Sequence, residues 1–245
     1  MSRIFDPHKT FRLSRSKIEL FVNCARCFYL DAKLGIKRPS MPAFSLNNAV
    51  DALLKKEFDI YRKSKSPHPL MKAYKIDAVP FDHDKMDEWR DALRRGITYH
   101  MPGTNFQITG GIDDVWINKA GELIIADYKA TSKEAEVTLD SKWQKSYKRQ
   151  VEIYQWLFRR NGFKVNPTAY FVYANGNAGE DAFNHCLRFK LTILPYEGNE
   201  EWIEPVIIDA HKLLLSENIP DRNENCEHCN FAYKSTSTKR QQTLL

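Results

Sequence analysis

Apolar positions recur along the chain at two spacings. Leu46, Val50, Leu53, Leu54, Phe58 and Tyr61 fall three or four apart, which predicts a helix over about 45–63. Ser16 and Glu19 form a capping-box pattern ahead of a helical stretch through Phe21 and Phe28. Trp89, Leu93 and Ile97 predict a third helix, and a fourth over about 147–160 stops at Asn161-Gly162. Strand-like runs cover Phe106–Ile117 and Leu123–Lys129, with Asn118-Lys119-Ala120-Gly121 as a hairpin turn. Two further strands are expected near 168–174 and 182–194, the second with Cys186 on its polar face, and then a helix near 200–216. Lys63–Pro69 and the stretch opening at Pro220 are expected loops, and the tail from Ser235 is expected to be loose. This order predicts an α/β fold in which a mixed central β-sheet is flanked by helices. One domain is expected over 1–234, with a flexible tail at 235–245.

The chain has 245 residues, 42% hydrophobic and 12% aromatic, enough to bury a core, which excludes a disordered protein. No apolar run approaches the roughly eighteen residues of a membrane span, and the first residues lack a secretory signal. The expected location is therefore cytoplasmic, with no membrane partner. Lys+Arg less Asp+Glu is 37 − 31 = +6, an excess that permits an anionic partner without requiring one. Four of five cysteines form two C-x-x-C pairs, Cys24/Cys27 and Cys226/Cys229. In a reducing compartment such pairs commonly place four thiolates on one metal site, which here would join the chain ends.

The predicted hairpin carries the densest chemistry. With the turn near Lys119-Ala120, Asp113 falls opposite Ala126 or Asp127, and Asp127 shares a strand face with Lys129. Two close carboxylates repel, and a divalent cation relieves that repulsion. A lysine alongside can orient or help deprotonate a water. The tripeptide alone is uninformative, because Asp31-Ala32-Lys33 and Asp140-Ser141-Lys142 repeat it; only the middle copy follows an apolar strand. Gln150 and Tyr154 lie four apart on one helix face. Lys145, Lys148 and Arg149 are placed to meet a phosphate backbone, and Trp143 and Tyr147 to stack on unpaired bases.

The order G-x-x-D (Gly110–Asp113), D-x-K (Asp127–Lys129) and Q-x-x-x-Y (Gln150–Tyr154) resembles the PD-(D/E)XK nuclease superfamily, and within it the RecB-type branch that includes the CRISPR-associated adaptation exonuclease. Ser14-Arg15-Ser16-Lys17 and Cys24-Ala25-Arg26-Cys27-Phe28-Tyr29-Leu30 are similar to that branch's opening. The resemblance implies a restriction-endonuclease-like core and a metal-dependent DNA nuclease, an exonuclease preferring single strands or ends, acting in repair, recombination or CRISPR adaptation with other subunits as partners. It implies that Asp113 and Asp127 ligate Mg²⁺ or Mn²⁺ with help from the Tyr128 carbonyl. Lys129 would position the attacking water, and Gln150 and Tyr154 would support the site and contact DNA. Where many relatives carry a metal-binding histidine on an early helix, this chain offers Asp51. Several relatives hold a [4Fe-4S] cluster on one early and three late cysteines; the two-and-two arrangement here leaves Zn²⁺ as the rival. The absent histidine also admits a catalytically inactive nucleic-acid-binding module.

Overall fold

The computed structural model describes residues 4–40, 44–141 and 144–242. The elements in order are β1 (Phe11–Ser14), α1 (Arg15–Asn23), α2 (Ala25–Ala32), α3 (Ser45–Lys63), α4 (Pro69–Ala73), β2 (Ala78–Pro80), α5 (Met86–Arg90), β3 (Ile97–His100), β4 (Phe106–Gly110), β5 (Asp114–Asn118), β6 (Leu123–Thr131), α6 (Gln144–Arg160), β7 (Thr168–Gly176), β8 (Phe189–Glu197), α7 (Ile203–Leu215) and α8 (Glu227–Gln242). They fall into two compact units, one of 1–41, 100–108 and 201–245, the other of 42–99 and 109–200. The predicted mixed α/β architecture is present.

The second unit is built on a five-stranded sheet of order β2-β5-β6-β7-β8. Its β6–β7 pair is parallel and the other pairs are antiparallel. A parallel pair needs a crossover, and α6 supplies it. Side chains of β6 alternate between the two faces. Ala126 and Tyr128 enter a core with Trp116, Leu54 and Phe58, so α3 covers that face. Phe58 and Trp116 stack with ring centroids 5.7 Å apart. Asp127 and Lys129 point to the other face, where α6 lies. At the hairpin turn Gly121 adopts φ +73°, and the Asn118 side chain accepts from the backbone N–H groups of Ala120 and Glu122.

In the first unit, β1 lies beside β4, with the Phe11 N–H donating to the Asn105 carbonyl at 2.9 Å. Phe5, Phe11 and Phe106 pack together with centroids 5.6–6.0 Å apart, and His211 stands edge-on to Phe106. Residues 235–242, read as tail, continue α8.

Several expected elements differ. The strand over Phe106–Ile117 is two strands, broken at Gly111, where a Cβ would lie 2.3 Å from that of Ala92. The strand expected over 182–194 starts only at Phe189. Asn184 and His185 adopt φ of 45° and 58°, which a strand does not accommodate, so Cys186 sits in an exposed loop. Trp89, Leu93 and Ile97 do not share a helix: α5 ends at Arg90, Leu93 is exposed and Ile97 begins β3. The helix through Phe21 and Phe28 is two, because Cys24 is extended, and the α1 cap is Ser14 rather than Ser16. On α3, Leu54 and Phe58 are buried, but Leu46 and Leu53 are exposed.

Candidate active site

The site forms where β5 begins and β6 continues beyond it. Asp114 pairs with Ala126, so the preceding Asp113 lies beside Asp127, as its spacing from the turn predicts. Past the end of the ladder the Tyr128 N–H donates instead to Asp113 Oδ2 at 3.0 Å. Arg90 fixes the same corner, its Nε donating to the Asp113 carbonyl at 3.0 Å.

Asp127 is fully buried and ion-paired with the Lys129 ammonium. Burial opposes the charge on Lys129, but Asp127 and then Asp113 outweigh it and raise its pKa above the usual lysine value. Lys129 is therefore held as an ammonium, which keeps its proton and donates hydrogen bonds. Its Nζ is 3.5 Å from Gln150 Oε1, the outer limit of a hydrogen bond, and 4.6 Å from the centre of the Tyr147 ring. Gln150 Nε2 in turn donates to Tyr154 Oη at 3.0 Å. A chain Asp127–Lys129–Gln150–Tyr154 thus runs from strand to helix.

Asp51, on α3, reaches the same corner through a residue that sequence reasoning missed. Lys55 Nζ lies 2.8 Å from Asp51 Oδ2 and 3.0 Å from Asp113 Oδ1, bridging the two carboxylates. Burial raises the Asp113 pKa, but Lys55 and Lys129 with the Tyr128 N–H outweigh it, so the net shift is downward. Asp51 shifts upward, through burial and then the Asp113 charge. The four-residue spacing of Asp51 and Lys55 was the available signal, and it reads by itself as an ordinary helical ion pair.

The adjacent carboxylate turns the other way. Asp114 is fully buried and contacts Arg62, Arg90 Nη2 at 3.2 Å and the Tyr128 hydroxyl, which donates to it at 2.7 Å. Asp59 ties the two arginines together, 2.9 Å from each. The Asp113-Asp114 pair therefore places one carboxylate in the candidate site and the other in a buried ion cluster beneath it.

The glycines of G-x-x-D allow close approach. A Cβ at Gly110 would sit 2.7 Å from Cε1 of Tyr154. Gly110→Ala is expected to displace that ring and cost about 1–3 kcal/mol, read by urea denaturation. An unchanged midpoint would show that Tyr154 moves aside freely.

Of the positions expected to meet nucleic acid, Trp143 lies outside the described residues. Lys145 is exposed on α6, and Tyr147 lies under Lys129. Lys148 sits 5.3 Å from the Tyr196 ring, and Arg149 is half-buried.

In the first unit Cys24, Cys27, Cys226 and Cys229 are buried together, with all four sulfurs within 4.8 Å of one another. Among the described residues they are the one set of three or more metal-capable side chains gathered so closely; Asp51, Asp113 and Asp127 are not. The four cysteines can bind a metal. No helix among the described residues is long and apolar enough to cross a membrane.

No curated protein matches this chain. A solved structure, the crystal structure of SSO0001, is similar at 17% identity, with 91% of this chain and 84% of that chain covered and a TM-score of 0.41. The family model of the PD-(D/E)XK nuclease superfamily matches residues 12–233, nearly the whole chain. The chain belongs to the PD-(D/E)XK nuclease superfamily.

Proposed function

We propose that this chain is a metal-dependent deoxyribonuclease of the RecB type, an exonuclease preferring single strands or ends, which serves DNA repair, recombination or CRISPR adaptation alongside other subunits. The observation that carries the reading is the meeting of Asp113, Asp127 and Lys129 at one strand end, with Gln150 and Tyr154 behind them. The oxygen donors suit a hard divalent ion in kind and charge: Asp51 and Asp113 already share one positive charge, the Lys55 ammonium, and Asp127, paired with Lys129, would close in on the ion with them. Asp113 and Asp127, with the Tyr128 carbonyl and Asp51, would hold Mg²⁺ or Mn²⁺. Such an ion supplies charge neutralisation at the scissile phosphate and a more acidic water.

The protein's own groups do the rest. Lys129, charged and anchored to Asp127, donates a hydrogen bond to the attacking water or a phosphate oxygen. Gln150 and Tyr154 hold that ammonium in place. Lys145, Lys148 and Arg149 are cations for the flanking phosphates, and Tyr147 offers a ring for a base. The four cysteines belong to a structural centre, because four thiolates leave no open coordination position.

The test is cleavage of end-labelled single- and double-stranded linear DNA, RNA and closed circular DNA with Mg²⁺ or Mn²⁺. Linear DNA should be shortened from its ends while circles survive. A second reading, a binding module without turnover, is favoured by one observation: Lys55 spans the carboxylates that an ion needs. It gives salt-sensitive DNA binding with no cleavage in either metal. Under the nuclease reading Lys55 competes with the ion, so Lys55→Met should bind Mn²⁺ more tightly in calorimetric titration. Weaker binding would make Lys55 a supporting group instead.

A further inference from the structure

The two cysteine pairs are built alike. Cys24 is the N-cap of α2: its carbonyl accepts from the Phe28 N–H at 3.0 Å, and its sulfur accepts from the Cys27 N–H at 3.4 Å. Cys226 stands just before α8. Its carbonyl accepts from the Asn230 N–H at 3.0 Å, and its sulfur is hydrogen-bonded by the Cys229 backbone. Each pair therefore offers one sulfur at a helix cap and one three residues on. Two links tie the loops together: Asn223 Nδ2 donates to the Asn23 carbonyl at 2.9 Å, and Arg26 Nη1 to the Pro220 carbonyl at 2.8 Å.

The sulfur separations discriminate between the groups that four cysteines can hold. Three of the six edges are 3.6 Å (Cys24–Cys229), 3.7 Å (Cys27–Cys229) and 3.8 Å (Cys27–Cys226). A tetrahedron with metal–sulfur bonds of about 2.3 Å has edges of about 3.8 Å. In a four-iron cluster each thiolate binds a different iron and its bond points outward from the cluster. The sulfurs then stand apart by an iron–iron separation plus two diverging bonds, well beyond the 4.8 Å that encloses all four here.

Four neutral thiols packed together would also touch at such distances. They would not need the donors present here, two backbone N–H groups and the Arg38 guanidinium, whose Nη2 lies 3.2 Å from Cys226 Sγ. Donors of this kind orient metal-bound sulfurs and offset their charge.

We infer that the four cysteines hold one tetrahedral zinc ion rather than the four-iron cluster that the resemblance implies for several relatives, with Arg38 as a positioning residue that offsets the excess negative charge of four thiolates. The inference is independent of whether the chain cleaves DNA.

The test is metal and acid-labile sulfide analysis of full-length protein, purified anaerobically from cells supplied with both iron and zinc. The expected result is about one zinc per chain, no sulfide and a colourless solution. Four irons with sulfide, a single iron, or no retained metal would each overturn it. Arg38→Gln, which leaves every ligand in place, should lose roughly 10–100-fold in zinc affinity in a chelator competition. Unchanged affinity would remove Arg38 from the site.

Discussion

Lys129→Ala is expected to slow DNA cleavage by about 10²–10³-fold, the range for losing one preorganised hydrogen-bond donor aimed at developing charge. Two effects combine. The attacking water loses its donor, and Asp127, fully buried, loses the ammonium that pairs with it. The second effect is structural: removing one partner of a buried pair costs about 3–5 kcal/mol. A second variant separates them. Lys129→Met with Asp127→Asn removes both charges and keeps similar volume, so it should refold more stably than Lys129→Ala while staying inactive. Activity in the double variant near the wild-type rate would remove Asp127 and Lys129 from the chemistry.

Arg62→Ala is expected to destabilise the protein by about 3–5 kcal/mol. Asp114 is fully buried, and Arg62 and Arg90 are the cations that compensate it. Losing Arg62 leaves the carboxylate undercompensated and also removes its contacts to Asp59 and the Phe81 carbonyl. Tyr128→Phe deletes only the hydroxyl donor to the same carboxylate and should cost less, about 1.5–3 kcal/mol. Urea midpoints at constant slope read both. A shift for Arg62→Ala no larger than that for Tyr128→Phe would mean that the cluster relaxes or takes up water.

Much of the site was legible because its parts are short and local. The strand–turn–strand pattern around Gly121 fixes the register, and register alone brings Asp113 beside Asp127. Alternation along β6 puts Lys129 with Asp127, and helical spacing puts Gln150 with Tyr154. Lys55 and Arg90 were not legible, because their partners lie far along the chain and are met only after α3 and α5 pack. The division of Asp113 from Asp114 was hidden for the same reason: a dipeptide does not state which carboxylate will find two arginines.

The fold misreadings share a cause. Periodicity in Trp89, Leu93 and Ile97 mimicked a helix, although these residues belong to a short helix, an exposed turn and a strand. Alternation in 182–188 mimicked a strand, but positive φ at Asn184 and His185 keeps that stretch out of the sheet. The cysteine pairs were visible as pairs. Their closeness, which distinguishes one ion from a cluster, exists only in the folded unit.

The most direct measurement is Mn²⁺ binding by calorimetry to the wild-type chain and to Asp113→Asn and Asp127→Asn, each with its cysteine site intact. Cation capture by these carboxylates requires a wild-type binding event that weakens by at least tenfold in both variants, with cleavage falling in parallel. Equal Mn²⁺ affinity in all three proteins would be incompatible with a metal held between β5 and β6.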